Sequence, residues 1–172
     1  MIHTVISSPI GDLLATASND GLTGLYTAEH VRKPRPDGER ADGPFAALAG
    51  QLEEYFAGQR RDFDLPLALR GTDFQLRVWR ELGRIPFGET VSYAQLATRL
   101  GSPKAVRAVG LANGRNPVSL VVPCHRVIGS DGALTGYAGG LAVKRWLLDH
   151  EAALAQPSRS TGLAASNQPV SR

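Results

Sequence analysis

Two four-residue signatures, 20 positions apart, constrain the fold of this chain more than anything else in it. Thr72-Asp73-Phe74-Gln75 and Ser92-Tyr93-Ala94-Gln95 each have the form of a capping box. In that motif a hydroxyl and a glutamine three residues on satisfy each other's backbone N–H groups and open a helix. Phe74, Val78 and Leu82 continue the first as an apolar stripe ending near Gly83, and the second closes at Gly101. Ser102-Pro103 then predicts an N-cap with proline at the first helical position. The helix it opens runs to about Ala112, with Lys104 and Arg107 near its start. Two short helices across a tight glycine turn have helix-turn-helix form, in which the start of the second helix enters a DNA groove. A helical hairpin buried in a core has the same signature.

The first third of the chain reads differently. Ser8-Pro9-Ile10-Gly11 and Asn19-Asp20-Gly21 are turn signals flanking Leu13-Leu14-Ala15, so a hairpin is expected. Arg32 to Pro44 is rich in proline, glycine and charge and reads as a loop. Phe45, Leu48, Leu52, Tyr55 and Phe56 recur at helical spacing up to Gly58. Phe63, Leu65, Leu67 and Leu69 alternate, with Pro66 restricting them to an edge strand. A last helix is expected from about Leu141 to Leu154. The reading is therefore α+β: a small N-terminal antiparallel β-sheet domain with a helix over residues 1–70, then a mostly helical domain over 71–155 containing the helix-turn-helix. Residues 156–172, rich in Ser, Gly, Pro, Asn and Gln, read as a disordered tail.

Charge is distributed unevenly. Residues 1–69 hold 6 Lys/Arg against 10 Asp/Glu, a net of −4, whereas residues 70–130 hold 9 against 3, a net of +6. A basic central block is what a phosphate-facing surface requires, and an Arg-rich solvated face would look the same. No apolar run approaches the length of a membrane span, and the N-terminus lacks a signal-peptide pattern. The single cysteine excludes an internal disulfide, which fits a reducing cytoplasmic compartment. One Cys and four His, none at ligand spacing, predict no metal site.

Chemistry concentrates where the apolar run Val118–Val122 ends in Pro123-Cys124-His125-Arg126. A thiol is a nucleophile only as the thiolate, which an adjacent imidazole or guanidinium favours. His125 is placed to take the thiol proton, directly or through water, and a carboxylate would orient its other nitrogen. Asp131, Asp149 and Glu151 are the candidates. A lone cysteine that merely packs is the competing explanation.

Pro123-Cys124-His125-Arg126, preceded by Asn116-Pro117 and followed by Gly136-Tyr137-Ala138-Gly139-Gly140 and Lys144, closely resembles the O6-alkylguanine-DNA alkyltransferase family. Gly88-Glu89-Thr90-Val91-Ser92-Tyr93 and Ala105-Val106-Arg107-Ala108-Val109-Gly110 extend the resemblance across roughly residues 71–151. It implies that Cys124 accepts the alkyl group, that His125 takes up its proton through a water, and that Glu151 stands behind His125. It further implies that Asn116 braces the active-site turn, Tyr93 assists the departing guanine, and Arg107 replaces the flipped base in the stack. Lys104, Ala105, Ala108, Tyr93 and Arg126 would join Arg107 on DNA. Tyr93, Val127, Gly136, Tyr137, Ala138 and Gly139 would line the base pocket. The implied partner is double-stranded DNA carrying O6-alkylguanine, entered from the minor groove by a monomer. The reaction is irreversible, happens once per molecule and needs no cofactor. The sequence leaves open O4-alkylthymine repair, the size of alkyl group admitted and cooperative binding.

Two other readings use part of these features. A DNA lesion sensor would use the helix-turn-helix without chemistry, and a thiol hydrolase would use Cys124, His125 and Glu151 without DNA.

Overall fold

The computed structural model describes residues 1–156. Strands β1 (Ile2–Ile6), β2 (Leu13–Ser18) and β3 (Gly21–Tyr26) form consecutive antiparallel hairpins at the predicted turns. In the first turn the Gly11 N–H donates to the Ser8 carbonyl at 3.0 Å, with Gly11 at φ +96°, a conformation open to glycine. The sheet is not wholly antiparallel as expected. Within the segment read as loop, β4 (Glu39–Arg40) pairs parallel to β1, giving the order β3-β2-β1-β4. The Phe63–Leu69 alternation does not become a strand; Leu67 makes one isolated bridge to Leu22. Pro66 has no N–H to extend the ladder, but its carbonyl accepts from Leu22 at 2.8 Å.

Helix α1 (Ala46–Phe56) lays Leu48, Leu52 and Tyr55 into the core beside Leu13 and Leu25 of the sheet. Helix α2 (Asp73–Leu82) and helix α3 (Tyr93–Arg99) both start at complete capping boxes, on Thr72 with Gln75 and on Ser92 with Gln95. Val78, Leu82 and Leu96 face the same core. The last helix, α5 (Leu141–Ala155), follows the predicted span closely. No helix among the described residues is long and apolar enough to cross a membrane. The predicted tail lies, beyond Gln156, outside the described residues.

The helix after Gly101 begins later than Ser102-Pro103 suggests. Helix α4 spans Val106–Gly114, and Ala105 precedes it without a side-chain cap. Ser102 belongs to two turns: its N–H donates to Ala97 O at 3.0 Å and the Gly101 N–H to Thr98 O at 2.9 Å, while Ser102 O accepts from the Ala105 N–H at 2.8 Å. With Gly101 at φ +71° the first is a Schellman closure. Pro103 and Lys104 consequently lie in the turn between the helices.

A two-stranded parallel sheet, β5 (Val91–Ser92) on β6 (Val127–Ile128), was not anticipated from sequence. It is short, yet it fixes the site. β5 runs directly into α3 and β6 directly follows Cys124-His125-Arg126, so Tyr93 is held beside the thiol-bearing segment.

Candidate active site and DNA-facing surface

The turn from Asn116 to Cys124 is built around one buried side chain. Asn116 Nδ2 donates to Val122 O at 2.8 Å and Val118 O at 3.4 Å, while its Oδ1 accepts from the Val118 N–H at 3.0 Å. Inside that turn Leu120 has φ +69°, strained for a residue with a Cβ, and is buried. The sheet secures the turn from outside: Leu25 N–H donates to Pro117 O at 2.9 Å and Ser119 N–H to Leu25 O at 3.0 Å. The segment then enters a 3₁₀ turn, Cys124–Arg126, that places all three side chains indoors.

Cys124 is 4% exposed. Burial pushes its thiol pKa up, against smaller opposing effects of Asn116, Lys144 and Tyr137. The resting group is therefore the thiol, contrary to the expectation that neighbouring cations would favour the thiolate at rest. Arg126 is unavailable for that task because its charge is engaged elsewhere.

Of the three candidate carboxylates, the structure brings Glu151 to His125. Glu151 Oε1 accepts from His125 Nε2 at 2.8 Å, from the Tyr55 hydroxyl at 2.7 Å and from Arg126 at 2.9 Å. Its Oε2 accepts from Arg126 Nε at 2.8 Å and from the Gly88 N–H at 3.3 Å. Burial would raise the Glu151 pKa, but the hydrogen bonds from His125 and Arg126, with the Arg126 charge, outweigh it and hold the carboxyl far below the usual range. An ionised carboxylate only accepts, so His125 Nε2 carries the hydrogen and Nδ1 presents a lone pair. Nδ1 is buried and makes no hydrogen bond within the chain. Burial drives the His125 pKa down, with Arg126 and Lys144 acting in the same direction against Glu151. A neutral imidazole with a free Nδ1, next in sequence to a neutral thiol, has the composition of a general-base pair.

Around this pair, Tyr93 Oη donates to Thr135 O at 3.0 Å. The same carbonyl accepts from Lys144 Nζ at 3.1 Å, and Lys144 also donates to Val127 O at 2.5 Å. Lys144 is fully buried, which pushes its pKa down to about 8. Tyr137 is buried with its hydroxyl unpartnered, and burial followed by the nearby Cys124 raises its pKa. The loop Gly136–Gly140 is tied to the N-terminal region, where the Val31 N–H donates to Ala138 O at 2.9 Å and Thr27 Oγ1 to Gly139 O at 3.4 Å.

The helix-turn-helix presents Lys104, Arg107, Ala108, Leu111 and Arg115 outward, Leu111 at 65% exposure. Ala105 is half-buried. The small residues of α4 divide in two. Ala108 faces out, whereas Ala112 is buried under Trp79, whose Nε1 donates to its carbonyl at 2.9 Å. Gly110 packs on the Tyr93 ring, which a Cβ would approach to 3.8 Å. Arg126, expected on DNA, is corrected: it is 4% exposed, and its donors go to Glu151 and to Ile85 O.

Tyr55, Asn113 and Lys144 were given no role from sequence. Asn113 is buried and reaches Cys124 O at 3.4 Å. Lys144, Leu147 and Glu151 occupy the buried face of α5. A charged residue at a core position of an amphipathic helix was the available signal for Lys144. Nothing local marks Tyr55, whose partner lies 96 residues away. Among the described residues no group of three His, Cys, Asp or Glu is arranged to hold a metal ion.

Two family models match the chain: the ribonuclease-like domain of 6-O-methylguanine DNA methyltransferase over residues 1–69 and its DNA-binding domain over 73–153. The methylated-DNA–protein-cysteine methyltransferase of Mycobacterium tuberculosis is 51% identical over 153 residues, 88% of this chain and 93% of that protein. Its namesake from Methanosarcina barkeri is 47% identical over 153 residues, 88% and 97% of the two chains. The crystal structure of Mycobacterium tuberculosis OGT in complex with DNA superposes with a TM-score of 0.86 at 48% identity, covering 90% of this chain and 95% of that one. Fold, buried thiol and relatives together define a DNA-repair enzyme of the cysteine methyltransferase class, with a DNA-binding C-terminal region. The chain belongs to the 6-O-methylguanine DNA methyltransferase family.

Proposed function

We propose that the chain removes the alkyl group from O6-alkylguanine in double-stranded DNA by transferring it irreversibly to Cys124, one group per protein molecule. The observation that carries this reading is the buried Cys124 thiol next to a His125 whose Nε2 is locked on Glu151, leaving Nδ1 to accept a proton. A target carbon within a duplex cannot reach a thiol that is 4% exposed, so the nucleotide must first rotate out of the stack. Arg107, exposed on the first turn of α4, would fill the vacated place. Lys104, Ala105 and Ala108 would lie against the minor groove. Unstacking costs a few kcal/mol, offset by the inserted side chain and by phosphate contacts.

In the pocket the flipped base meets Tyr93, Val127, Gly136, Tyr137, Ala138 and Gly139. The Cys124 proton passes to His125 Nδ1, through a water, and Glu151 stabilises the imidazolium. Sulfur attacks the alkyl carbon, an S–C bond forms and the C–O6 bond breaks. Guanine leaves with the bonding electron pair and is neutralised by a proton from the Tyr93 hydroxyl, which must first let go of Thr135 O. Proton exchange with solvent then restores the Tyr93 phenol and the neutral His125. Asn116 holds the turn throughout. The product is a thioether, which no group in the site can hydrolyse, and no step calls for a cofactor. The reading assigns residues 1–70 and 71–155 to two domains acting as one monomer in the cytoplasm.

Intact-mass spectrometry after mixing with an O6-methylguanine duplex tests this directly. One added methyl, mapped to Cys124 and missing in Cys124→Ser, is the expected result. Duplex binding with an unchanged mass would replace the enzyme with a lesion sensor. The same assay on O4-methylthymine decides the second substrate.

A further inference from the structure

A second charged feature lies outside the alkyl-acceptor site, where the sheet region meets the helical region. A cavity of about 260 Å³ is lined by Arg32, Arg70 and Arg115 together with His30, Gln75 and Asn116, and no carboxylate lines it. The three arginines come from three parts of the chain: the loop after β3, the residues before α2, and the end of α4. All three are exposed, and none forms an ion pair among the described residues. His30 adds no charge. Burial, then Arg32 and Lys33, hold its pKa below the ordinary value. Three guanidiniums converging on one concavity without a counter-charge repel one another, and an anion placed between them relieves that repulsion. The planar donor fork of arginine matches phosphate oxygens in particular.

The position of the cavity indicates where such a phosphate comes from. Arg107, Leu111 and Arg115 recur every four residues and form one exposed stripe along α4. From Arg107 to Arg115 the helix advances roughly 12 Å, about three to four base-pair rises of duplex. The cavity therefore sits at the far end of the face that meets DNA. We infer that Arg32, Arg70 and Arg115 form a clamp for a backbone phosphate of the bound duplex, so that the N-terminal region takes part in holding DNA. This rests on the DNA-facing assignment of α4 made above. The clamp positions the duplex and reads no base.

The test measures binding of an unmodified duplex to the full chain by fluorescence anisotropy from 50 to 200 mM KCl, so that no alkyl transfer intervenes. Wild type is compared with Arg70→Gln, Arg115→Gln and the variant combining both with Arg32→Gln. Arg145→Gln, an exposed arginine of α5 away from the cavity, serves as the control. The expected result is about tenfold weaker binding at low salt for the triple variant. The slope of log K against log salt should fall in magnitude by about 0.9, the value for one phosphate contact. Thermal melting within a degree or two of wild type shows that the variants fold. A triple variant with the wild-type slope overturns the clamp. Inorganic phosphate without DNA separates the two sources of the anion. If phosphate raises the melting temperature of wild type but not of the triple variant while the DNA slopes coincide, the cavity serves a free phosphate and the duplex assignment falls. The two claims fail separately: a missing methyl transfer with the slope difference intact sinks the alkyl-acceptor reading alone.

Discussion

Tyr55 donates to the same Glu151 oxygen that receives the His125 N–H, so it shares the negative charge that would otherwise be directed at the imidazole. Removing it concentrates that charge on His125 and favours the imidazolium. The other groups facing His125, the cations Arg126 and Lys144, act in the opposite direction. In wild type the depressed His125 pKa keeps the base neutral as pH falls past 6.5. The single-turnover rate of methyl transfer should therefore hold through pH 6.5 and decline only below it. Tyr55→Phe should move that acid limb upward toward 6.5, and superimposable profiles would leave Tyr55 a packing role only. The lost hydrogen bond to a buried charge costs about 2 kcal/mol, a fall of roughly 4–8 °C in Tm by calorimetry. Glu151→Gln is more severe. It leaves Arg126 buried and unpaired, at about 3–5 kcal/mol, and abolishes rapid transfer in a quench-flow assay.

The turn Asn116–Cys124 holds a local conformation against its own preference. Leu120 at φ +69° costs on the order of 1–3 kcal/mol, and Asn116 restrains it through three hydrogen bonds. Asn116→Ala should destabilise the protein by about 2–3 kcal/mol in urea unfolding and slow transfer even at saturating duplex. Unchanged transfer in a variant of that reduced stability would remove Asn116 from the positioning of Cys124. At this scale the sequence was legible wherever a signal is local. Both capping boxes formed, because each is a closed set of hydrogen bonds within four residues. The start of α4 was misread because Ser102 to Ala105 close a turn of their own, with the Ala105 N–H donating to Ser102 O at 2.8 Å, before the helix begins at Val106. Strands β4, β5 and β6 are two residues each and leave no periodicity to read. Arg126 could not be placed from its neighbours, since only the fold delivers Glu151 to it from 25 residues away.

For the whole molecule, the reacting centre is not a property of the C-terminal region alone. Leu25 pairs with the active-site turn through Pro117 and Ser119, and Tyr55 closes the Glu151 network. A fragment of residues 71–156 would leave Glu151 short of a donor and the apolar contacts of Leu25 open to water. It should melt with little cooperativity by circular dichroism and fail to methylate itself. Full activity from that fragment would show the N-terminal region to be dispensable for chemistry. The tie between Thr27–Val31 and the loop Gly136–Gly140 carries this dependence outward. A Cβ on Gly139 would come within 2.8 Å of Thr27 Oγ1, so the loop Gly136–Gly140 rests directly on the stretch Thr27–Val31. Inheritance can therefore act on the loop and on the reacting groups separately. If the loop covers the flipped base as proposed, changes at Thr27 to Val31 would alter how far it yields to a bulky lesion, while the thiol, imidazole and carboxylate stay as they are. On the proposed function, a lineage facing new alkylating poisons could broaden its repertoire from the exposed positions Ala28, Glu29 and Val31.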